Sequence, residues 1–215
     1  MNKAKHFLVN TYSTFASLLS EMNLIEKSEA VKEVFQELEN ETKQFHKEAG
    51  MGCLSGCGFC CANPDVPATP LEFLPLAFDL YSKGIAEEMA NQLTLQDQPG
   101  NCIVYRSTKM DETKGFCGDY SSRGLICRLF GASARRTKYG KKELITCKIL
   151  KEQKAEGFNT ATARINSDLE IPMATAYYTR LKDVDESLTN QYPINQAILM
   201  ALELVLRFKF YEETD

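Results

Sequence analysis

Four of the eight cysteines fall within nine residues, and this run constrains the fold more than any other feature of the sequence. It reads Cys53-Leu-Ser-Gly-Cys57-Gly-Phe-Cys60-Cys61, and the other cysteines follow within the next ninety residues, at Cys102, Cys117, Cys127 and Cys147. Cysteines in such density indicate a metal site built from thiolates. The order predicts a tight loop of local ligands and a second segment that folds back onto it.

Length and composition are those of an ordinary globular chain that does not need its cysteines for stability. The 215 residues are 44% hydrophobic and 25% charged, and a chain of this length can bury a core without covalent cross-links. The N-terminus has no signal-peptide pattern, and no apolar stretch approaches the roughly 18 residues of a membrane span. We therefore expect a cytoplasmic protein with no membrane partner, whose reduced thiols bind metal and do not pair as disulfides.

Charge is distributed unevenly along the chain. Residues 123–148 contain eight basic residues and one acid, so this basic segment carries +7, and the rest of the chain carries −11 (−4 − 7). Cations lower thiol pKa values and stabilise thiolates, so we interpret the segment as countercharge to the cysteines, above all Arg123 and Arg128, with Arg135, Arg136 and Lys148. The alternative is a solvated or phosphate-binding patch. The acidic balance makes nucleic acid a poor candidate partner, and no protein partner is indicated.

Helical patterns flank the cysteines on both sides. We expect residues 1–49 to form a helical hairpin, residues 50–150 the cysteine core, and residues 151–215 helices packed on that core. The second helix of the hairpin is expected to open at Ser28 and to carry one apolar stripe, made of Val31, Val34, Phe35, Leu38, Thr42 and Phe45. The predicted fold class is mainly α: one helical domain around a short, irregular, cysteine-rich metal-binding centre with minor β structure.

Local signals place several boundaries within the core. Thr69-Pro70-Leu71-Glu72 predicts a helix start with a capping box, which Pro75 should kink or delay. Residues 106–115 are polar and predict an exposed loop, and Tyr139-Gly140-Lys141 predicts a hairpin turn. His46 has two interpretations, a metal ligand or a side chain that stabilises the end of the helix dipole, and we favour the second.

The cysteine spacing leaves the metal open. Cys57-Gly-Phe-Cys60 suits two ligands of one ion. Adjacent side chains tend to diverge, so we expect either that Cys60 and Cys61 serve different ions or that Cys61 is a bridging thiol or lies outside the ligand shell. No histidine lies between residues 50 and 148, so the site is all-sulfur unless a carboxylate joins. Zinc is the first choice because it suits a closed thiolate cage, and a [4Fe–4S] cluster is the alternative. A thioredoxin-like redox pair would need a βαβ pattern that is not visible.

Two resemblances bear on the alternatives. Cys53-x3-Cys57-x2-Cys60 resembles the cluster motif of radical S-adenosylmethionine enzymes, but the strand–helix alternation of those enzymes is missing from the sequence. The order of all eight cysteines, with Cys117-Gly-Asp-Tyr and Arg123-Gly-Leu-Ile-Cys127-Arg-Leu-Phe, is similar to the YkgJ-type cysteine-cluster family over about residues 53–147. That family usually has Arg-Pro where this chain has Arg123-Gly124. The resemblance implies a CxxCxxCC domain that chelates zinc or iron, and relatives with the motif include flagellin lysine methylases.

We therefore predict a metal-binding protein that chelates zinc or iron through clustered cysteine thiolates. The alternative is an iron–sulfur redox protein or enzyme that uses S-adenosylmethionine. The sequence singles out no catalytic residue and leaves open whether the protein is an enzyme. The predicted metal ligands are Cys53, Cys57, Cys60, Cys61, Cys102, Cys117, Cys127 and Cys147.

Overall fold

The computed structural model describes residues 22–96, 98–108 and 111–214, and the first helix of the expected N-terminal hairpin lies outside them. Within these ranges the fold is mainly α, as the sequence predicts. The α-helices are α1 (Leu24–Ala49), α2 (Leu74–Ser82), α3 (Ala86–Thr94), α4 (Leu125–Leu129), α5 (Lys148–Gln153), α6 (Ala155–Arg164), α7 (Ala174–Asp185) and α8 (Ile194–Glu212). Short 3₁₀-helices occupy Leu71–Phe73, Tyr120–Ser122 and Glu186–Leu188. None of the described helices is both long and apolar enough to cross a membrane.

Three small antiparallel sheets complete the described fold, each made of two strands. They pair β1 (Pro67–Ala68) with β6 (Tyr192–Pro193), β2 (Tyr105–Thr108) with β3 (Asp111–Cys117), and β4 (Ser133–Arg136) with β5 (Lys142–Ile145). The predicted turn at residues 139–141 is confirmed as the end of the β4–β5 hairpin. The loop expected at residues 106–115 is wrong, because β2 and β3 pair through backbone groups and one face of such a ribbon can stay polar.

Helix α1 begins earlier than the sequence pattern suggests. Its N-cap is Asn23, whose Oδ1 accepts a hydrogen bond from Glu26 N at 3.0 Å, while Glu26 Oε2 accepts one from Asn23 N at 2.8 Å. Ser28 lies buried inside the helix and does not open it. The predicted apolar stripe is confirmed, because all six of its residues are buried.

The buried side chains form two apolar clusters that share α1. The larger core lies between the first half of α1 and helices α2, α3, α7 and α8. The smaller core contains Phe45 and Ala49 from the end of α1, together with Met51, residues of the β4–β5 hairpin, and residues of α5 and α6. Helix α1 thus fixes the position of the second half of the cysteine-rich region relative to the first.

We expect Asn23→Ala to lower the free energy of unfolding by about 1 kcal/mol, since it removes the side chain that caps α1. Asn40→Ala is the matched control, because Asn40 is exposed in the middle of the same helix, where alanine is the better helix former. Urea unfolding should show a lower unfolding free energy for Asn23→Ala. The unfolding free energy of Asn40→Ala should be unchanged or slightly higher than that of the parent. Equal destabilisation by both substitutions would contradict the capping account.

Candidate metal centre

The eight cysteines are free thiols that come from five separate segments of the chain. The run Cys53–Cys61 follows α1 directly. Cys102 precedes β2, Cys117 is the last residue of β3, Cys127 lies in α4, and Cys147 is the N-cap of α5. Every one of the distant cysteines therefore sits on or beside a regular element, whereas the run itself is a series of turns.

The turns bring the adjacent sulfurs of Cys60 and Cys61 together. Ala62 N donates to Gly58 O at 3.1 Å and Asn63 N donates to Cys60 O at 3.3 Å, so the backbone here curls as in a helical turn. The two Sγ atoms lie 4.0 Å apart. The expected divergence of these side chains is therefore wrong, because it applies to extended backbone. Two sulfurs on one tetrahedral zinc ion are separated by roughly 3.8 Å at a Zn–S bond of about 2.3 Å, so Cys60 is close enough to Cys61 either to share its ion or to join two neighbouring metal sites.

The cysteine run docks on the β2–β3 hairpin through glycines. Gly58 has φ +60°, and a Cβ there would lie 2.5 Å from the Tyr105 ring and 3.0 Å from backbone atoms of Gly115. Gly115 N donates to Gly56 O at 3.2 Å, and Cys102 N donates to Cys61 O at 2.8 Å. Only glycine at position 58 allows this approach, which fixes the run against the segment that carries Cys102 and Cys117.

Four cysteines border the larger core. Cys102 is buried in it, and Cys61, Cys117 and Cys127 pack against its edge. Ionised Cys102 or Cys127 would raise the pKa of Cys61, and ionised Cys117 would raise the pKa values of Cys102 and Cys127. These four thiols therefore lie within electrostatic range of one another. We call these four residues the Cys61-side set.

The remaining four cysteines group around the start of the run. After burial, the charges of Cys60, Cys57 and Cys147 are the next causes of the raised pKa of Cys53. Cys147 and Leu54 both pack against the smaller core. We call Cys53, Cys57, Cys60 and Cys147 the Cys53-side set. Cys60 joins the two sets, because its charge also acts on Cys61 and on the other thiols of the Cys61-side set.

Cys60 is the thiol most readily ionised where a shift is resolved. The S–H of Cys61 donates to its sulfur, and this hydrogen bond, with a further contribution from the charge of Arg123, lowers the pKa of Cys60 to about 6. The same bond, with burial, raises the pKa of Cys61. The hydrogen bond between the two sulfurs thus favours ionisation of one thiol of the pair.

Burial keeps the deeper thiols protonated in the absence of metal. It raises the pKa of Cys102 to about 11 and that of Cys127 well above the usual value of a thiol. Burial is also the main cause of the raised pKa values of Cys53 and Cys117. Because metal ligation requires thiolates, occupation of these sites must release protons.

Of the two predicted countercharges, Arg123 is the one whose charge acts on several sulfurs. It lowers the pKa of Cys60 and opposes the rise in that of Cys117. Its guanidinium stacks 3.9 Å from the centre of the Tyr120 ring. Arg123 is therefore placed to stabilise thiolates of both sets, and its role as countercharge stays a prediction.

Arg128 is held mainly by protein contacts. Its Nε donates to Arg123 O at 3.0 Å, a terminal nitrogen donates to Ser121 O, and the guanidinium stacks 4.4 Å from the centre of the Phe35 ring of α1. These bonds close the loop between β3 and α4. Arg128 thus fixes the segment that positions both Arg123 and Cys127.

The rest of the basic segment has partners other than the cysteines. Arg135 pairs with Glu143 across the β4–β5 hairpin, Arg136 donates to Gly140 O, and Lys148 lies 3.7 Å from Glu152. All three basic side chains are exposed. The structure therefore restricts the countercharge interpretation to Arg123 and Arg128.

A buried carboxylate that the sequence does not single out as a site residue holds the helix of Cys127. Glu72 is fully buried, and its Oε1 accepts from Thr69 N at 2.6 Å, which confirms the predicted capping box. Pro75 lies in the first turn of α2, so the predicted delay of the helix start is also confirmed. The second oxygen, Oε2, accepts from Ile126 N at 2.7 Å at the start of α4. Glu72 thereby positions the helix of Cys127 through a contact with a residue 54 positions along the chain.

Gly124 makes this contact possible. A Cβ at Gly124 would lie 2.8 Å from Phe73 Cζ and 3.0 Å from Glu72 Oε2. The glycine lets the 3₁₀-helix of residues 71–73 approach the N-terminus of α4, the helix that carries Cys127.

The donor set fits a thiophilic metal, although the side chains are not preassembled around a point. Several buried polar atoms near the cysteines have no hydrogen-bond partner among the described residues; they are His46 Nε2, Tyr105 Oη, Arg123 Nε, Thr146 Oγ1 and Tyr178 Oη. In the part of the chain that the structure describes, no three side chains of His, Cys, Asp or Glu are close enough to bind one metal ion together. The free thiols and the 4.0 Å contact of Cys60 and Cys61 nevertheless match the soft ligands of zinc and iron–sulfur centres.

Comparison with known proteins gives one match. Residues 52–156 match the family model described as "CxxCxxCC: Putative zinc- or iron-chelating domain". This range contains all eight cysteines, Arg123 and Arg128. No curated protein and no solved structure matches the chain.

Glu72→Gln should make stability less dependent on pH. Burial raises the pKa of Glu72 to about 7 from its ordinary value of 4.5. Because the folded value is the higher one, the stabilising contribution of Glu72 is complete below 4.5 and is lost as the pH rises through about 7. The unfolding free energy of the parent minus that of the variant should fall by roughly 2–3 kcal/mol between about pH 5 and about pH 8.

Urea unfolding of the parent and the variant measures this difference. Both samples contain excess chelator, so that bound metal does not contribute to either unfolding free energy. A difference that stays constant across the range would mean that Glu72 is not the titrating group.

Proposed function

We propose that the chain binds metal through two thiolate sets that meet at Cys60 and Cys61, on the premise that residues 52–156 match the family model of a zinc- or iron-chelating CxxCxxCC domain. The proposal is supported by three observations: the eight free thiols come from five segments, Cys61, Cys102, Cys117 and Cys127 border the larger core, and Cys57, Cys60 and Cys147 act electrostatically on Cys53. Each set combines cysteines of the run with cysteines far along the chain. Metal binding would therefore tie the run to the rest of the fold.

Zinc is the metal that we propose for the Cys61-side set. Its four thiols border the larger core, and a closed cage of four sulfurs is a common structural zinc site. A zinc ion in such a cage supplies no redox chemistry and stabilises the fold around it. Arg123 then offsets part of the negative charge of the thiolates.

An iron–sulfur cluster in the Cys53-side set is the second candidate. Three members of this set have the spacing Cys53-x3-Cys57-x2-Cys60, and Cys53 is exposed, so this site is the one open to solvent. Use of S-adenosylmethionine is not favoured, because the described part of the chain has only two-stranded antiparallel sheets and no repeated strand–helix units. We assign no catalytic residue, and a role in holding or delivering metal suits the site best.

Elemental analysis of protein purified without oxygen tests the proposal. We expect about two metal ions per chain, one for each set, in a colourless protein if both are zinc. A brown protein with visible absorbance and iron would favour the cluster in the Cys53-side set. Protein that is folded and reduced but contains less than about 0.1 metal ion per chain, and takes up none on incubation with zinc or iron, would refute metal binding.

Single cysteine variants test the two sets. Cys127→Ser and Cys147→Ser should each lose about one of the two ions, because they remove ligands of different sets. Each should also lower the melting temperature, since the lost ion no longer adds its binding free energy to the stability of the fold. The double variant should lose both ions.

Ser55→Ala is the matched control, because Ser55 is exposed in the same run but offers no sulfur. It should keep the metal content and melting temperature of the parent. If Cys127→Ser keeps both ions and parental stability, the site is local to the run and the two-set arrangement is wrong.

A further inference from the structure

His46 lies at the end of α1 and borders the start of the cysteine run. The helix holds it in place, because its neighbours Phe45 and Ala49 are buried in the smaller core. The ring atoms Cγ and Nδ1 lie 3.9 and 4.0 Å from the point that a Cβ on Gly52 would occupy. Since Gly52 directly precedes Cys53, the imidazole lies against the backbone that carries the first thiol of the Cys53-side set.

The ring nitrogen Nε2 of His46 is buried and has no hydrogen-bond partner among the described residues. Buried polar atoms in proteins are almost always paired, so an unpaired one indicates a missing partner. A neutral imidazole nitrogen is also the commonest metal ligand in proteins. An interaction with the helix dipole would leave no reason for this nitrogen to be buried and unpaired.

Arg123 links His46 to the sulfurs. After burial, the charge of Arg123 is the next cause of the lowered pKa of His46. The same charge acts on Cys60 and Cys117. His46 and these two thiols thus lie around one guanidinium, whose own Nε is buried and unpaired as well.

We propose that His46 Nε2 is a ligand of the metal ion whose other donors are three thiols of the Cys53-side set. This ion then has a mixed sulfur–nitrogen shell, whereas the ion of the Cys61-side set is bound by sulfur alone. The assignment rests on the proposed function and adds a ligand from outside the family domain, because residue 46 precedes the matched range. It replaces the helix-dipole interpretation of His46.

Loading of the full-length chain with Co²⁺ tests the assignment. The chain has two histidines, His6 and His46, so His6→Ala protein labelled with ¹⁵N-histidine contains one source of imidazole nitrogen. Pulsed EPR of this protein should show ¹⁵N coupling to cobalt, and the unlabelled protein should show ¹⁴N coupling instead. The labelled sample requires no change at position 46 and therefore decides the question even if variants of His46 fold poorly.

Variants give an independent measurement. His46→Ala should abolish the coupling and weaken Co²⁺ binding at one site by roughly tenfold or more, while His6→Ala keeps both. His46→Cys should restore the affinity with a purely sulfur spectrum. Sulfur-to-cobalt charge transfer without any histidine coupling would overturn the His46 assignment and leave the proposed function standing. Absence of any sulfur-to-cobalt band would overturn both.

Discussion

Burial of one face of α1 is the interaction on which the rest of the structure depends. The helix has 26 residues and is therefore about 39 Å long, which lets it contribute to both apolar cores. Each of its fully buried side chains, such as Leu38 and Phe45, contributes about 1.5–3 kcal/mol to stability. Because Cys61, Cys102, Cys117 and Cys127 border the larger core and Cys147 borders the smaller one, the helix that joins the cores also fixes the position of Cys147 relative to those four.

The cost of gathering thiols explains the polar groups around them. Ionised sulfur is unstable in buried surroundings, and burial raises the pKa of most of the thiols for which a shift is resolved. Arg123 and the hydrogen bond between Cys60 and Cys61 oppose this cost at one point, where the two sets meet. Glu72 is a buried carboxyl group near Cys127 and raises the pKa of that thiol further. Its structural role is to accept a hydrogen bond from the backbone N–H of Ile126 at the start of α4. In the proposed arrangement, positive metal ions would balance the same charges.

The sequence predicts what depends on local patterns. The stripe of α1 and the capping box of Glu72 follow from residue spacing, and both are present. The β2–β3 hairpin could not be predicted from its polar residues, because its pairing uses the backbone. The contact of Glu72 with Ile126 and the convergence of Cys60 with Cys61 depend on tertiary packing and on turn geometry. Composition and spacing carry no signal for either. The grouping of the distant cysteines is likewise a property of which core each one borders.

X-ray absorption at the edge of the resident metal tests the central claim, that thiolates of two sets hold the metal, most directly. In protein purified without oxygen, the account predicts a first shell of sulfur at about 2.3 Å, with three to four sulfurs per ion on average. A nitrogen contribution at about 2.0–2.1 Å should amount to no more than one donor in one of the two sites. A first shell dominated by oxygen or nitrogen would contradict the account, because the clustered thiols would then not be the ligands.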